Sequence, residues 1–259
     1  MKNPILEKLI AMPNNSKKLL QDIDRILPIL EKDSYDVTHA EALILLTVYN
    51  VSFHDSGKIE GICSCDSSCH GCTFCQKMCA AAKEDPEIIC GMCYDDAQET
   101  RWKDTERRHM LNLAIMSHVL FTVDELRILP GSGIARINSS GDIENLTHAR
   151  NMIRYAKAHP DSKVGIWSKN FPVVEKAFDI EGKPANVVYV ASSPRINHPV
   201  KRPKYADYTF TVYSTPEKVV EALRRGACEC NGKKCLECGF KCYFGMWPAG
   251  ADIAELLRK

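Results

Sequence analysis

The sequence predicts an α/β protein: a parallel sheet of βα units, as a partial barrel or an open sheet. N-terminal helices precede the sheet, and two cysteine-rich cluster-binding segments flank it. Three observations carry this expectation. Short apolar runs alternate with helix-period segments from about residue 134 to residue 226, the mark of parallel strands joined by crossovers. The 13 cysteines crowd into two short stretches that lack such periodicity. With 259 residues and 45% apolar side chains, the chain can bury a core without covalent staples. Four regions follow: N-terminal helices (1–53), a cysteine-rich cluster-binding segment (54–98), an α/β core (99–226), and a cysteine-rich segment ending in a helix (227–259).

Leu19, Leu20, Ile23, Ile26, Leu27 and Leu30 recur at three- and four-residue steps and predict a first helix. Thr38-His39-Ala40-Glu41 reads as a capping box opening a second helix to about Tyr49. A helix over 104–119 follows the first cysteine stretch. Thr122-Val123-Asp124-Glu125 starts a short one ending near Pro130. Ile134–Asn138, Val164–Trp167, Val187–Ala191 and Tyr208–Tyr213 are the predicted strands. Leu146–Ala158 and Val173–Phe178 are the helices between them. Thr215-Pro216-Glu217 places a cap, a first-turn proline and an acid at the start of another, running to Gly226. The predicted C-terminal helix covers about Ala249–Leu257.

Charge gives little guidance to partners. Lys+Arg is 34 and Asp+Glu 33, so no global field favours nucleic acid. Lys2, Glu7 and Lys8 break any apolar leader, and the run from Ala42 to Phe53 is too short for a membrane helix. The expected location is cytoplasmic, without a membrane partner. There thiols stay reduced and serve as metal ligands or catalysts.

Cys69-x2-Cys72-x2-Cys75-x3-Cys79 has the bacterial ferredoxin spacing, with Ala80 where a proline usually follows. Cys230-x4-Cys235-x2-Cys238-x3-Cys242 is a looser version, with Cys228 just ahead, and Cys63, Cys65, Cys90 and Cys93 complete the set. Two-residue spacers bring several sulfurs around one cube, and soft thiolates suit iron. All 13 are candidate ligands for two or three 4Fe–4S clusters. Zinc is the competing metal, because C-x2-C pairs also form zinc knuckles. Cys65-x3-Cys69-x2-Cys72 also has the spacing of the radical S-adenosylmethionine motif, though Gly71 replaces the usual aromatic residue.

Ser139, Ser140, Gly141 and Asp142 end the first predicted strand of the core, where α/β sheets bind ligands. They are the candidate cofactor-binding residues. Arg195, His198, Lys201, Arg202 and Lys204 form a basic loop that a nucleic acid could use, although only Tyr205 is there to stack on a base.

The stretch ARINSSGDIEN, followed by a helix and KVGIWSKN, resembles the phage gene-product-88-like family, which carries R-I-H-x-S-G-D-F, a helix and a strand ending Tyr-Thr-Lys. That family's early Cys-Tyr is matched by Cys93-Tyr94, and its C-terminal cysteines by Cys228–Cys242. The resemblance spans about residues 50–245; Asn138 stands for the family His and Ile143 for Phe. It implies no settled activity. Its layout is similar to that of radical S-adenosylmethionine enzymes, in which a Gly-Gly-Glu motif holds the cofactor amine; Gly141 and Asp142 would stand there by analogy. The functional expectation is therefore an iron–sulfur redox protein acting on a redox partner or small-molecule substrate. It would work by electron transfer, as an iron–sulfur oxidoreductase, or in a radical S-adenosylmethionine-like way. The alternative is a zinc-stabilised interaction module that binds nucleic acid through the basic loop.

Overall fold

A computed structural model describes residues 39–230 and 234–257. The helix predicted over 19–30 and the cap at Thr38 lie outside the described residues. Helix α1 (His39–Leu46) leads into β1 (Ser52–Phe53) and β2 (Cys63–Cys65). Then come α2 (Thr73–Ala81), a 3₁₀ turn (Ile89–Met92), α3 (Tyr94–Arg101), α4 (Lys103–His118) and α5 (Val123–Leu126). The core alternates β3 (Ile134–Ile137), α6 (Leu146–Ala158), β4 (Lys163–Ser168), α7 (Phe171–Glu181) and β5 (Val187–Ser192). It closes with β6 (Tyr208–Tyr213), α8 (Pro216–Arg224), β7 (Cys228–Glu229) and β8 (Asp252–Leu256).

The eight strands form one sheet in the order β1-β2-β3-β4-β5-β6-β8-β7, antiparallel at β1–β2 and parallel elsewhere. Strands β2 to β6 lie in sequence order, so their right-handed crossovers all lead to the same face. That face carries the main core: Ala135, Ile137, Val164, Ile166, Tyr189 and their neighbours pack on α4, α6 and α7. A doubly wound sheet would instead reverse its order part-way. Val188 and Val190 on β5 pack on the opposite face, which explains the unbroken apolar run Val187–Ala191.

Local chemistry sets the helix ends. Asn145 accepts from the His148 amide at 2.9 Å and starts α6, whose Ala149, Met152, Ile153 and Ala156 are buried at three- and four-residue steps. Burying Met152 and Ile153 stabilises the fold by roughly 1.5–3 kcal/mol each. The box at Thr122 and Glu125 forms as predicted and starts α5. Thr215 caps α8 with Pro216 in its first turn.

The predicted C-terminal helix is overturned. Residues 252–256 are β8, paired in parallel with β6 and β7. Asp-Ile-Ala-Glu-Leu fits both periods, and tertiary pairing decides. Ile253 packs on one sheet face and Ala254 on the other, while Asp252 Oδ1 accepts from Thr209 and Thr211 at 2.7 and 2.9 Å. The first cysteine stretch, read as without periodicity, contains β2, α2 and the start of α3.

Candidate metal centre

The fold sorts the cysteines into two groups and a remainder. The first group lies at the carboxyl ends of β2–β4. Cys72 precedes α2, Cys75 and Cys79 lie on α2, Cys90 on the 3₁₀ turn, and Cys93 at the start of α3. Cys69 stands in the turn after β2, packed with Cys72, Cys75 and Leu113. The Cys75 amide donates to the Cys72 sulfur at 3.4 Å, and the Cys79 thiol reaches the Cys90 carbonyl at 3.5 Å. The Cys69 thiol donates to the Cys93 sulfur, which together with the amides of Asp96 and Asp95 holds Cys93 down at about 6 against the effect of burial. Burial, opposed by Lys169 and aided by Cys79 and Cys93, pushes Cys90 up to about 11.

Lys169 follows β4 and serves this group. Burial works against its charge, but Asp142, Cys90, Cys75 and Cys93 outweigh burial and raise its pKa. A cation among six sulfurs offsets the negative charge that thiolates bring.

The loops are joined at their backbones. The Ser67 amide donates to the Ser140 carbonyl at 3.2 Å, and Ser67 Oγ to Asn138 Oδ1 at 2.9 Å. Gly141 has φ +77°, and a Cβ there would lie 2.2 Å from the Ser67 carbonyl oxygen, so only glycine fits. Glu99 is fully buried and accepts from Ser68 Oγ at 2.8 Å, the amides of Cys69 and His70 at 3.3 and 3.2 Å, and His109 Nδ1 at 2.9 Å. Burial raises its pKa, but His109, Ser68 and His70 outweigh burial and hold it below the ordinary range. Glu99 thus fixes the turn that presents Cys69. One oxygen or nitrogen each from His70 and Glu99 also lies within 4.8 Å of the Cys69 sulfur.

The second group lies on the sheet face without helices. Cys228 and Cys230, two residues apart, point to that face from β7 and its end. Cys242 is pushed up to about 12 by burial and by Cys235, with Arg136 opposing and Cys230 and Cys238 adding. Aromatic side chains surround it: Trp167 and Tyr243 meet at a tilt of 42° with centroids 5.3 Å apart, and Tyr208 meets Trp247 edge-on at 6.0 Å.

Cys63 and Cys65 join neither group. They face the helix side of β2, where Cys65 hydrogen-bonds the hydroxyls of Tyr49 and Tyr155 and burial pushes it up to about 12. The C-x3-C-x2-C spacing is therefore not a convergence of three sulfurs.

The candidate binding turn is bonded inward. Ser139 Oγ and the Ser140 amide donate to Asp66 Oδ1 at 2.5 and 3.0 Å. Asp142 accepts from Ser168 Oγ at 2.5 Å and from the amides of Ile143 and Lys169 at 2.7 and 2.9 Å. Asp142 thereby ties β3 to β4 beside Lys169. In the basic loop, Arg195 pairs with Asp85 and Glu87, His198 with Glu87, and Lys204 with Asp179.

A cavity of about 1110 Å³ opens beside Cys93 of the first group. Cys93, Asp95, Arg136, Asp66, Ser139 and Ser140 line it. The sequence reading missed Lys169, Glu99 and Arg136. The signal for Lys169 and Arg136 was a charge within or just after an apolar strand; Glu99 had none.

The sequence profile of the Gene product 88 family matches residues 31–246. The chain belongs to this family. The match takes in both cysteine groups and the Ser-Gly-Asp turn. No curated protein matches the sequence, and no solved structure matches it. Among the described residues, no helix is long and apolar enough to cross a membrane.

Proposed function

We propose that this Gene product 88 protein is an iron–sulfur redox protein. It holds a 4Fe–4S cluster at each cysteine group and delivers electrons to a small molecule in the cavity that Cys93 lines. One observation carries the reading: eleven free thiols fall into two groups, and Cys93 of the first and Arg136 beside the second line one cavity. The donor set fits the cofactor. Each group offers at least four soft sulfurs, as a four-iron cube requires, and each has a cation beside it, Lys169 or Arg136. A bound cluster supplies electrons one at a time. The chain's own residues do the rest: Glu99 fixes the Cys69 turn, Asp142 and Ser168 hold the loop that carries Lys169, and Cys93 places the first group at the cavity wall.

Cys65 turned away from Cys69 and Cys72 supports electron delivery over S-adenosylmethionine cleavage. The acid partners of Arg195, His198 and Lys204 support a small-molecule or redox partner over nucleic acid. The test is an anaerobic preparation assayed for iron, acid-labile sulfide and zinc. About eight irons and eight sulfides per chain, with absorbance near 400 nm, are expected from two four-iron cubes. Stoichiometric zinc without sulfide overturns the proposal in favour of a zinc-stabilised module.

A further inference from the structure

The cavity wall carries polar groups whose existing bonds differ between its acids and its guanidiniums. Its acids are occupied. Asp66 takes Ser139 and the Ser140 amide on one oxygen and the Ser64 hydroxyl on the other. Glu255 holds Lys58 at 2.5 Å, and Asp95 accepts from the Ser140 hydroxyl. The two guanidiniums keep N–H groups without an acceptor among the described residues. Among the described residues Arg136 has no ion-pair partner; its charge centre lies 4.7 Å from the Trp167 ring centroid, and its Nε is buried without an acceptor. Among the described residues, Arg108 spends only Nε, on the Asp104 carbonyl at 3.3 Å. Histidines on the wall are also bonded, His54 to Ser64 and His109 to Glu99. Two guanidiniums on the wall therefore keep N–H groups for a ligand.

Stacking prepares Arg136 for an anion. A guanidinium lying on an aromatic face keeps its in-plane N–H edge free for two parallel hydrogen bonds to a carboxylate or phosphate. The stack is built into the strand: a Cβ at Gly165 would lie 2.5 Å from both Trp167 and Tyr243. A buried N–H without an acceptor costs about 1–3 kcal/mol, which an incoming anion would recover. A volume of about 1110 Å³ suits a small organic molecule rather than a polymer.

We propose that the cavity binds a small organic anion, with its carboxylate or phosphate group on Arg136 and Arg108 as an outer contact. The inference rests on the redox reading only in making this anion the molecule that receives electrons; binding itself does not require a cluster.

The test is calorimetric titration of the protein as purified anaerobically, at low salt, with inorganic phosphate and separately with succinate. Metal content is measured in every sample. Wild type is expected to bind at least one probe with a millimolar or tighter Kd, and the preferred probe tells phosphate from carboxylate chemistry. Arg136→Gln should weaken binding about tenfold or more, Arg136→Lys less, and exposed Arg108→Gln about two- to fivefold, as expected for one lost charge-assisted bond. Failure of both probes to bind wild type overturns the inference, as does unchanged affinity in Arg136→Gln. If Arg136→Gln does not fold, Arg108→Gln decides, and unchanged affinity there overturns it. Anion binding by a protein that carries stoichiometric zinc and no sulfide would support this site and overturn the redox reading. A fully iron-loaded protein that binds neither probe would overturn this site alone.

Discussion

The two cysteine groups use the same ligand chemistry in different surroundings. The first is tied into the carboxyl ends of β2–β4 by polar bonds: Glu99 to the Cys69 turn, Gly141 against Ser67, and Asp142 to the loop carrying Lys169. The second rests on the open sheet face among Trp167, Tyr243, Tyr208 and Trp247. Polar networks specify one geometry and fail when a member is lost; apolar packing tolerates more change. The first group should therefore depend on its surroundings much more than the second.

Metal removal is the largest expected perturbation. Chelation should unfold residues 69–93, where α2 and the 3₁₀ turn have few apolar contacts besides Leu113 and Phe74. Hydrogen exchange should show that segment unprotected while α6 and α7 stay protected by the main core. Equal protection in stripped and loaded protein would break the comparison.

Next in size are the ligands themselves. Cys72→Ala and Cys238→Ala should each lower bound iron by about four atoms, the content of one cube. If the surroundings differ as argued, Cys72→Ala should also lower the melting temperature clearly, and Cys238→Ala only slightly. Iron analysis and calorimetry of both variants check this, and equal melting shifts would contradict the contrast.

Gly141→Ala tests the polar network without touching a sulfur. With a Cβ only 2.2 Å from the Ser67 oxygen and φ +77°, the two loops must separate. The expected cost is about 4 kcal/mol or more, in the range of severe backbone and packing conflicts. Denaturant unfolding measures it. Iron loss should be confined to the first group.

These contrasts also explain what the sequence could and could not reveal. The βα units from Ile134 to Arg224 were legible because their apolar positions repeat and because caps such as Thr122 and Thr215 act locally. The ferredoxin-like spacing identified four members of the first group. Cys90 and Cys93 were grouped with them only as members of one stretch, and Cys65 showed no sign that it faces Tyr49 and Tyr155. Facing is a tertiary property, decided when β2 pairs with β3. Lys169, Glu99 and Arg136 acquire their roles from groups distant in the chain. The same is true of Asp252, whose partners Thr209 and Thr211 turn a helix-like stretch into β8.

The smallest expected effect is a pH dependence on the first group's side alone. His148 on α6 is buried, and its Nδ1 accepts from the Glu144 amide at 3.2 Å. The Glu144 carboxylate accepts from the Thr73 amide and hydroxyl, each at 2.7 Å, at the start of α2. Burial lowers the His148 pKa to about 4. Above pH 6.5 the ring is neutral in both states and contributes no pH dependence. Between pH 6.5 and 4 the unfolded chain binds a proton that the folded chain refuses, so stability falls as pH falls, by up to about 3 kcal/mol. Protonation also removes the acceptor for Glu144 and loosens the start of α2, which carries Cys75 and Cys79. His148→Gln cannot titrate and should flatten the decline between pH 6.5 and 4. Unfolding of wild type and variant across that range, followed by hydrogen exchange at α2, gives the comparison. A wild-type profile as flat as the variant's, or a decline that appears equally at β7 and β8, would separate His148 from the first group.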